Sequence, residues 1–286
     1  MDRRRFLQTA TALAATTALT PAAKTAEADG AHASLSVPLV DTHVHFWDPE
    51  HLRYPWLDGS ELLGQVYRSA EYDAAIAPYS VEQLVFVQAE CIPEHWEAEA
   101  HWLAGLAEHD LRIQAIVASA PLEQGEAVLP LLDRLQAIPQ MRGIRRLLQA
   151  EPESEFMLRP GFVEGVQALA RFNWTFDLGV HRGQLGAART LAVRCPDVRF
   201  ILNHIGVPDL RSGDLEEWRR DIRALAELPN VYCKLSGVAT AADHDQWVLA
   251  DVRPAIAHVL DCFGFTRTAF GSDWPVMLRA TTFPRW

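Results

Sequence analysis

Eight short apolar segments, each separated from the next by a longer stretch, constrain the fold of this chain most strongly. Most of them are too uniformly apolar to be strands with one face in water, so they indicate strands that are covered on both faces of a parallel sheet. These segments span residues 37–42, 83–88, 113–119, 143–148, 175–180, 199–203, 231–235 and 268–271.

The stretches between them show helical periodicity. Apolar residues recur there at three- and four-residue spacing over residues 94–109, 126–138, 161–172, 184–194, 215–228 and 251–263. Strands that alternate with helices in this way predict an α/β protein. At 286 residues the chain suits a single-domain (β/α)8 TIM barrel better than an open sheet.

Two features depart from a regular barrel. The first part of the connection after the first strand, residues 46–65, is rich in Trp, Tyr, Pro and Gly and is interpreted as a loop over the barrel mouth. Too few residues follow the eighth strand to form a closing helix. We therefore expect the eighth helix to be missing, either because the barrel ends open or because the sequence is truncated.

The first 36 residues are predicted to be a twin-arginine-type signal peptide and linker, and residues 37–286 to be the barrel. Arg3 and Arg4 precede a weakly apolar run over residues 9–23, and Ala-Glu-Ala at 26–28 is a small-x-small cleavage pattern. We expect the twin-arginine export machinery as a partner and a periplasmic or secreted location. No stable membrane association is expected after cleavage.

Charge and cysteine usage narrow the possible partners and cofactors. The formal net charge of −11 argues against nucleic acid and anionic membranes as partners. The four cysteines are far apart and form no C-x-x-C pair, so a structural zinc knuckle is not indicated. We expect them to be small buried thiols.

Five polar residues fall at predicted strand ends. His43 and His45 end the first strand and point the same way, because residues two apart share one face of a strand. His181, His204 and Asp273 follow the fifth, sixth and eighth strands. Any one histidine taken alone is more simply a structural residue. Together the five predict an active site at the carboxyl rim of the barrel.

The motifs around these residues resemble the amidohydrolase superfamily, and more narrowly the lactonase branch of its amidohydrolase-2 group. That branch includes fuconolactonases and 2-pyrone-4,6-dicarboxylate lactonases. The resemblance covers about residues 38–277. Its motifs are VDTHVHFWDP at 40–49, RYPWL at 53–57, FVQA at 86–89, GIR at 143–145, NHIG at 203–206, CKLSG at 233–237 and FGSDWP at 270–275.

These residue types suit the hydrolysis of a lactone. Lactone hydrolysis needs an activated water and a stabilised carbonyl oxygen, and Asp273 is the best general base. We expect His43, His45 and His181, with Asp273, to bind one divalent ion, for which zinc is well suited. His204 is predicted to be catalytic, either by polarising the carbonyl or as a second-site ligand.

The resemblance leaves the metal requirement open. The superfamily is usually metal-dependent, but its lactonase branch includes members that work without a metal. No lysine ends the fourth strand, so a carbamylated lysine that bridges two metals is not supported.

Candidate binding residues lie at other strand ends and in the first loop. Arg145 and Arg146 end the fourth strand, where a guanidinium can hold a substrate oxygen. Only one of the two can point inward, and the GIR motif favours Arg145. Gln88 and Lys234 interrupt apolar strands, either to bind substrate or to form a buried polar network. Trp47, Tyr54 and Trp56 offer flat faces to a ring, although packing within the loop is the alternative.

Two other functions stay open. The same rim with one metal also suits a decarboxylase of an aromatic acid, and an assay of lactones beside hydroxybenzoates separates these two. The missing eighth helix raises the possibility of an inactive or truncated barrel, which would leave apolar surface on the first and eighth strands uncovered.

Overall fold

Eight parallel strands follow one another around a single sheet in chain order, as the TIM-barrel prediction requires. The computed structural model describes residues 38–286, so the predicted signal peptide and linker lie outside the described residues. The strands are β1 Leu39–Val44, β2 Val81–Val87, β3 Ile113–Ala118, β4 Met141–Ile144, β5 Thr175–Leu178, β6 Arg199–Leu202, β7 Val231–Leu235 and β8 Thr268–Phe270. Each of the eight overlaps a predicted strand, although β4 begins and ends earlier than predicted.

The barrel closes between β1 and β8 at its carboxyl rim. The backbone N–H of His45 donates to the carbonyl of Trp274 at 2.8 Å, and that of Asp273 donates to the carbonyl of His43 at 2.8 Å. Lower in the barrel the Thr42 hydroxyl donates to the carbonyl of Phe270 at 2.7 Å. Closure therefore brings the first and last predicted site residues into contact.

Seven α-helices lie among the described residues. They are α1 Ser69–Ile76, α2 Trp96–Ala107, α3 Leu129–Leu135, α4 Pro160–Ala168, α5 Leu185–Arg194, α6 Glu216–Ala226 and α7 Leu249–Phe263. Helix α1 was not predicted, because only Tyr72 and Ile76 of its eight residues are buried and its apolar periodicity is weak. None of the described helices is both long and apolar enough to cross a membrane.

The segment after β8 contains a 3-10 helix, Val276–Arg279, and no α-helix, as predicted. Phe283 is nevertheless buried, with its ring 6.2 Å from that of Phe270 and 6.2 Å from that of Tyr72. Trp286 stacks on Phe270 at 6.5 Å and donates its indole N–H to the carbonyl of Gly271 at 3.0 Å. These two aromatic side chains cover the part of β8 where apolar surface was expected to be exposed.

The cysteines are free thiols. Cys91, Cys195 and Cys233 are buried, Cys262 is partly buried, and none of them forms a disulfide. This agrees with the prediction of small buried thiols.

Candidate active site

Three imidazoles converge on one carboxylate oxygen at the barrel mouth. The Nε2 atoms of His45, His43 and His204 lie 3.3, 3.6 and 3.9 Å from Oδ1 of Asp273. His43 and His45 come from the end of β1, His204 follows β6 and Asp273 follows β8. The parallel topology puts all these strand ends on one rim, so residues from distant parts of the sequence meet there.

Unusual backbone conformations hold two of these residues. His204 has φ 53° and Asp273 has φ 63°, both in the left-handed region that few residues other than glycine adopt. Two glycines of the sequence motifs make room for the histidines. A Cβ at Gly237 would lie 2.6 Å from Nδ1 of His204, and a Cβ at Gly271 would lie 2.7 Å from Cβ of His43.

The hydrogen bonds of the rings fix which nitrogen faces Asp273. His45 Nδ1 lies 2.6 Å from the carbonyl oxygen of Val87, so Nδ1 carries the hydrogen and Nε2 presents a lone pair. His204 Nδ1 lies 3.0 Å from the Ser236 hydroxyl, which again leaves Nε2 toward the carboxylate. Neither ring nitrogen of His43, which is fully buried, has a hydrogen-bond partner among the described residues.

All three imidazoles are neutral at pH 7. Burial lowers the pKa of His43 well below its usual range, and the positive charge of Lys234 lowers it further. Burial also lowers the pKa of His204 to about 4, against the opposing effect of Asp273. For His45, burial outweighs the opposing effect of the nearby Asp273 carboxylate, so its pKa is lowered too. The rings therefore offer lone pairs rather than positive charge.

Asp273 is ionised in the same surroundings. Burial alone would raise its pKa, but the proximity of His204 and His45 and the charge of Arg145 together hold the pKa below its usual range. The site thus places one carboxylate beside three neutral imidazoles, of which His45 presents its Nε2 lone pair. Several acceptors that face one another without a donor between them are unfavourable unless a cation or a proton lies among them.

The donor set fits a divalent transition metal. Ligand atoms of His43, His204 and Asp273 all lie within 4.8 Å of one another. Neutral imidazole nitrogens and a carboxylate oxygen are the ligands that zinc prefers when a position is left for water. An ion at this point would also satisfy His43, whose buried ring otherwise lacks a partner.

The structure does not bring His181 to this group. Its side chain is exposed, and its Nδ1 accepts a hydrogen bond from the backbone N–H of Gly183 at 3.1 Å. That bond caps the 3-10 helix Arg182–Gln184 immediately after β5. His204, rather than the predicted His181, therefore joins His43 and Asp273 in the group that could hold a metal ion.

A cavity of about 540 Å³ opens above the cluster. Asp273, His45 and His204 form its floor, and Arg145 lies in its wall. Arg145 is buried and donates from Nη2 to the carbonyl of Gln88 at 2.5 Å, while its Nε has no partner among the described residues. Trp56 forms another part of the wall. Arg145 and Trp56 are thus the predicted binding residues that reach the cavity.

Three other predicted binding residues point elsewhere. Arg146 pairs with Glu151 at 2.6 Å and lies over the ring of Phe156, because neighbouring residues at a strand end face opposite sides. Trp47 is fully buried and donates its indole N–H to backbone carbonyls of its own loop. Tyr54 is buried with its hydroxyl on Glu99 at 3.2 Å. Trp47 and Tyr54 therefore pack within the loop, which was the stated alternative to binding a ring.

Gln88 and Lys234 belong to buried polar networks. Lys234 Nζ donates to Oδ2 of Asp177 at 2.7 Å, and the Asn203 amide donates to the same oxygen at 2.9 Å. Gln88 is fully buried and hydrogen-bonds to Glu90 through both ends of its amide. Neither side chain is part of the cavity lining, which is the arrangement that a buried polar network gives.

Sequence reasoning missed Glu90, Asp41 and Ser236. Glu90 lines the cavity, Ser236 positions His204, and Asp41 hydrogen-bonds to the backbone of Ser272 beside Asp273. Each of them lies close to the carboxyl end of a strand or just beyond it. Their positions near strand ends could have marked them as site residues. No regular spacing, however, distinguishes them in the sequence from polar residues that face solvent.

Comparison with known proteins gives a consistent result. The profile of a family described as amidohydrolase matches residues 40–286. The chain is 31% identical over 257 residues to an L-fucono-1,5-lactonase of Burkholderia multivorans, covering 85% of this chain and 84% of the other. It is 30% identical over 247 residues to an L-fucono-1,5-lactonase of Burkholderia ambifaria, covering 85% and 82%.

A solved structure shows the same relationship in three dimensions. An amidohydrolase from Burkholderia multivorans with bound zinc superimposes with a TM-score of 0.76 and 30% identity. The superposition covers 86% of this chain and 88% of that one. The relationship therefore extends over nearly all of the barrel described above.

Proposed function

Because this chain belongs to the amidohydrolase family, we propose that it is a hydrolase that opens the ring ester of a sugar lactone in the cavity above Asp273. One observation carries the proposal: three neutral imidazoles and one ionised carboxylate meet at the floor of a cavity that can enclose a small ring. The two curated relatives named as L-fucono-1,5-lactonases support the ester as substrate.

We further propose that the site holds one divalent ion, zinc, bound by His43, His204 and Asp273, with His45 beside them. The zinc found in the related Burkholderia multivorans structure supports this choice. Bound there, zinc would lower the pKa of a water molecule toward about 7 and polarise the lactone carbonyl.

Asp273 is the proposed base in this scheme. Its ionised carboxylate faces the cavity, where it accepts the proton that the attacking water loses and returns that proton to the ring oxygen as the ester bond breaks. His45 and His204 lie beside that carboxylate, with their Nε2 atoms 3.3 and 3.9 Å from its Oδ1. A positioned acid–base group of this kind typically contributes about 10²- to 10⁴-fold in rate.

Arg145 is the proposed electrophilic group. Its guanidinium is fixed by the bond to the Gln88 carbonyl, and its side chain lines the same cavity as Asp273. A fixed donor aimed at the carbonyl oxygen stabilises the negative charge that develops there during attack. Burial strengthens this effect, because little water competes for the oxygen.

Hydrolysis of a panel of sugar-1,4- and sugar-1,5-lactones by the full chain, followed with a pH indicator, tests the proposal. We expect turnover that falls about 10³-fold or more in Asp273→Asn, whose amide cannot accept the proton. Asp133→Asn, an exposed carboxylate on α3, is the matched control and should keep full activity. Turnover that survives in folded Asp273→Asn would exclude Asp273 as the base.

The same experiment distinguishes the proposed lactonase from the alternative function, decarboxylation of an aromatic acid. The panel includes 2,6-dihydroxybenzoate, whose loss is followed by its ultraviolet absorbance. Decarboxylation without any lactone turnover, from protein with a cooperative thermal transition, would overturn the lactonase proposal. A folded protein inactive on both classes would favour the inactive barrel.

A further inference from the structure

Glu90 places a second carboxylate in the cavity, apart from the cluster around Asp273. It lies just beyond the end of β2, is half-buried, and lines the cavity together with Arg145 and Trp56. The proposed hydrolysis uses Asp273 and Arg145 and leaves Glu90 without a role. A carboxylate at the wall of a substrate cavity needs an explanation, because an apolar residue would close that wall at lower cost.

The backbone and one buried side chain fix Glu90 in position. Its φ of 58° lies in the left-handed region, which is uncommon for a residue other than glycine and is typical of functional positions. Gln88, which is fully buried, donates from Nε2 to Oε1 of Glu90 at 2.5 Å. The Gln88 Oε1 accepts from the backbone N–H of Glu90 at 2.6 Å. Both ends of one amide therefore hold a single residue.

Within residues 38–286, no direct ion pair neutralises this carboxylate. Among the described residues, Gln88 is the side chain that donates to Glu90, and it donates to Oε1, which leaves Oε2 for another donor. Arg145, the cation of the same cavity, donates instead to the carbonyl of Gln88. Glu90 and Arg145 thus line the same cavity with no hydrogen bond or salt bridge between them among the described residues, so each can bind a different part of a ligand.

An aromatic face accompanies this carboxylate. Trp56 is 41% exposed, donates its indole N–H to the carbonyl of Ala89 at 2.8 Å, and packs edge-on against Trp47 with ring centroids 5.2 Å apart. Its ring is therefore held beside the residue that precedes Glu90. A flat apolar surface next to a hydrogen-bond acceptor suits a ring with C–H groups on its face and hydroxyl groups at its edge.

We propose that Glu90 is a specificity-determining residue, which accepts hydrogen bonds from the ring hydroxyl groups of a neutral lactone and excludes lactones that carry a carboxylate there. The inference rests on the proposed lactone hydrolysis and deepens it. An ionised carboxylate only accepts hydrogen bonds, and a hydroxyl group supplies the donor. A substrate carboxylate supplies none and is repelled by the like charge.

Three substrates and two variants test the role of Glu90. The substrates are L-fucono-1,5-lactone, unsubstituted δ-valerolactone and 2-pyrone-4,6-dicarboxylate, each with the full chain. For Glu90→Gln we expect KM for the hydroxylated lactone to rise about ten-fold, since one charged hydrogen bond is weakened. kcat/KM for δ-valerolactone should stay within about two-fold. Discrimination against the dicarboxylate should relax by about ten-fold.

Glu90→Gly is the second variant and controls for a folding defect, because glycine adopts the left-handed backbone of this position without strain. It should show the same change in selectivity with an unchanged or higher melting temperature. Glu94→Gln is the matched control, since Glu94 is exposed and lies outside the cavity lining. We expect it to keep the selectivity of the unmodified chain.

The outcomes separate this inference from the proposed function. An unmodified chain that hydrolyses no lactone would overturn the lactonase proposal and this inference with it. An active chain whose Glu90 variants keep the original KM ratio between hydroxylated and unsubstituted lactones would overturn the inference alone. Equal loss of activity on all three substrates would also overturn it, because that pattern indicates a general catalytic or structural role.

Discussion

Asp41 on β1 accepts a 2.8 Å hydrogen bond at Oδ1 from the backbone N–H of Ser272, 231 residues further along the chain. The backbone N–H of His43 donates to the same oxygen at 3.2 Å, and the Tyr72 hydroxyl donates to Oδ2 at 2.9 Å. Since Ser272 directly precedes Asp273, one buried carboxylate links the strand that carries His43 to the turn that carries Asp273.

Asp41→Ala is therefore expected to affect both stability and rate. It leaves the buried N–H of Ser272 and the Tyr72 hydroxyl without their acceptor, which should lower the free energy of unfolding by about 2–4 kcal/mol. We expect kcat for lactone hydrolysis to fall at least ten-fold with a smaller change in KM, because Asp273 loses its position while the cavity wall is kept. Urea unfolding and steady-state kinetics measure the two effects.

Asp41→Asn should recover most of the stability, since the amide oxygen can still accept from the backbone. Asp133→Ala, at an exposed site, serves as the control and should change neither quantity. If Asp41→Ala lowers the free energy of unfolding as expected but leaves kcat unchanged, the positioning role is contradicted.

The proposed metal site predicts that His204 and His181 respond differently to substitution. His204→Ala removes one of the clustered ligand atoms and should weaken zinc binding at least about ten-fold. His181→Ala should leave the zinc content unchanged, because that side chain is exposed and caps a turn. Elemental analysis after dialysis against a weak chelator measures the stoichiometry. Loss of zinc from His181→Ala would restore the ligand set inferred from the sequence.

The buried carboxyl group of Glu99 is expected to make the free energy of unfolding depend on pH. Burial, opposed by hydrogen bonds from Ala89 N–H and Tyr54, raises its pKa from 4.5 to about 7. The unfolded chain therefore releases this proton at lower pH than the folded chain. The contribution of Glu99 to stability is fully present below about pH 4.5 and decreases as the pH rises to about 7.

Glu99→Gln removes this penalty and keeps an oxygen for both donors. We expect it to raise the free energy of unfolding by roughly 1–3 kcal/mol at pH 8 and by much less at pH 5. Urea titrations at the two pH values make the comparison, with Glu82→Gln at an exposed position of β2 as the control. An equal effect of Glu99→Gln at both pH values would show that the carboxyl does not titrate as described.

Substitution of Phe283 measures how much the C-terminal segment stabilises the barrel. Its buried ring contacts Tyr72, Tyr79 and Phe270, so Phe283→Ala leaves a cavity and should lower the free energy of unfolding by about 3–5 kcal/mol. Phe265→Ala is matched in chemistry but 83% exposed, and should change it by less than about 0.5 kcal/mol. Equal effects of the two substitutions would mean that Phe283 does not pack as described.

Local sequence patterns predicted the architecture because they depend on nearby residues alone. A run of apolar residues marks a strand covered on both faces wherever it lies in the chain, so all eight strands were found. Helix α1 was missed since its eight residues bury too little apolar surface to produce a pattern. Strand alternation likewise predicted that only one of Arg145 and Arg146 points inward.

The sequence by itself determined that His43, His45, His204 and Asp273 lie on one rim, because parallel topology brings all strand ends to one edge. Tertiary structure decided which of them meet. His181 follows a strand as His204 does, but the turn after β5 uses its ring as a cap, whereas Ser236 of a neighbouring strand turns His204 inward. Glu90 is held by the amide of Gln88, two residues earlier, and meets Trp56 of the loop after β1 only at the cavity wall. Such contacts are set by side-chain direction and by packing between distant segments, which no local pattern records.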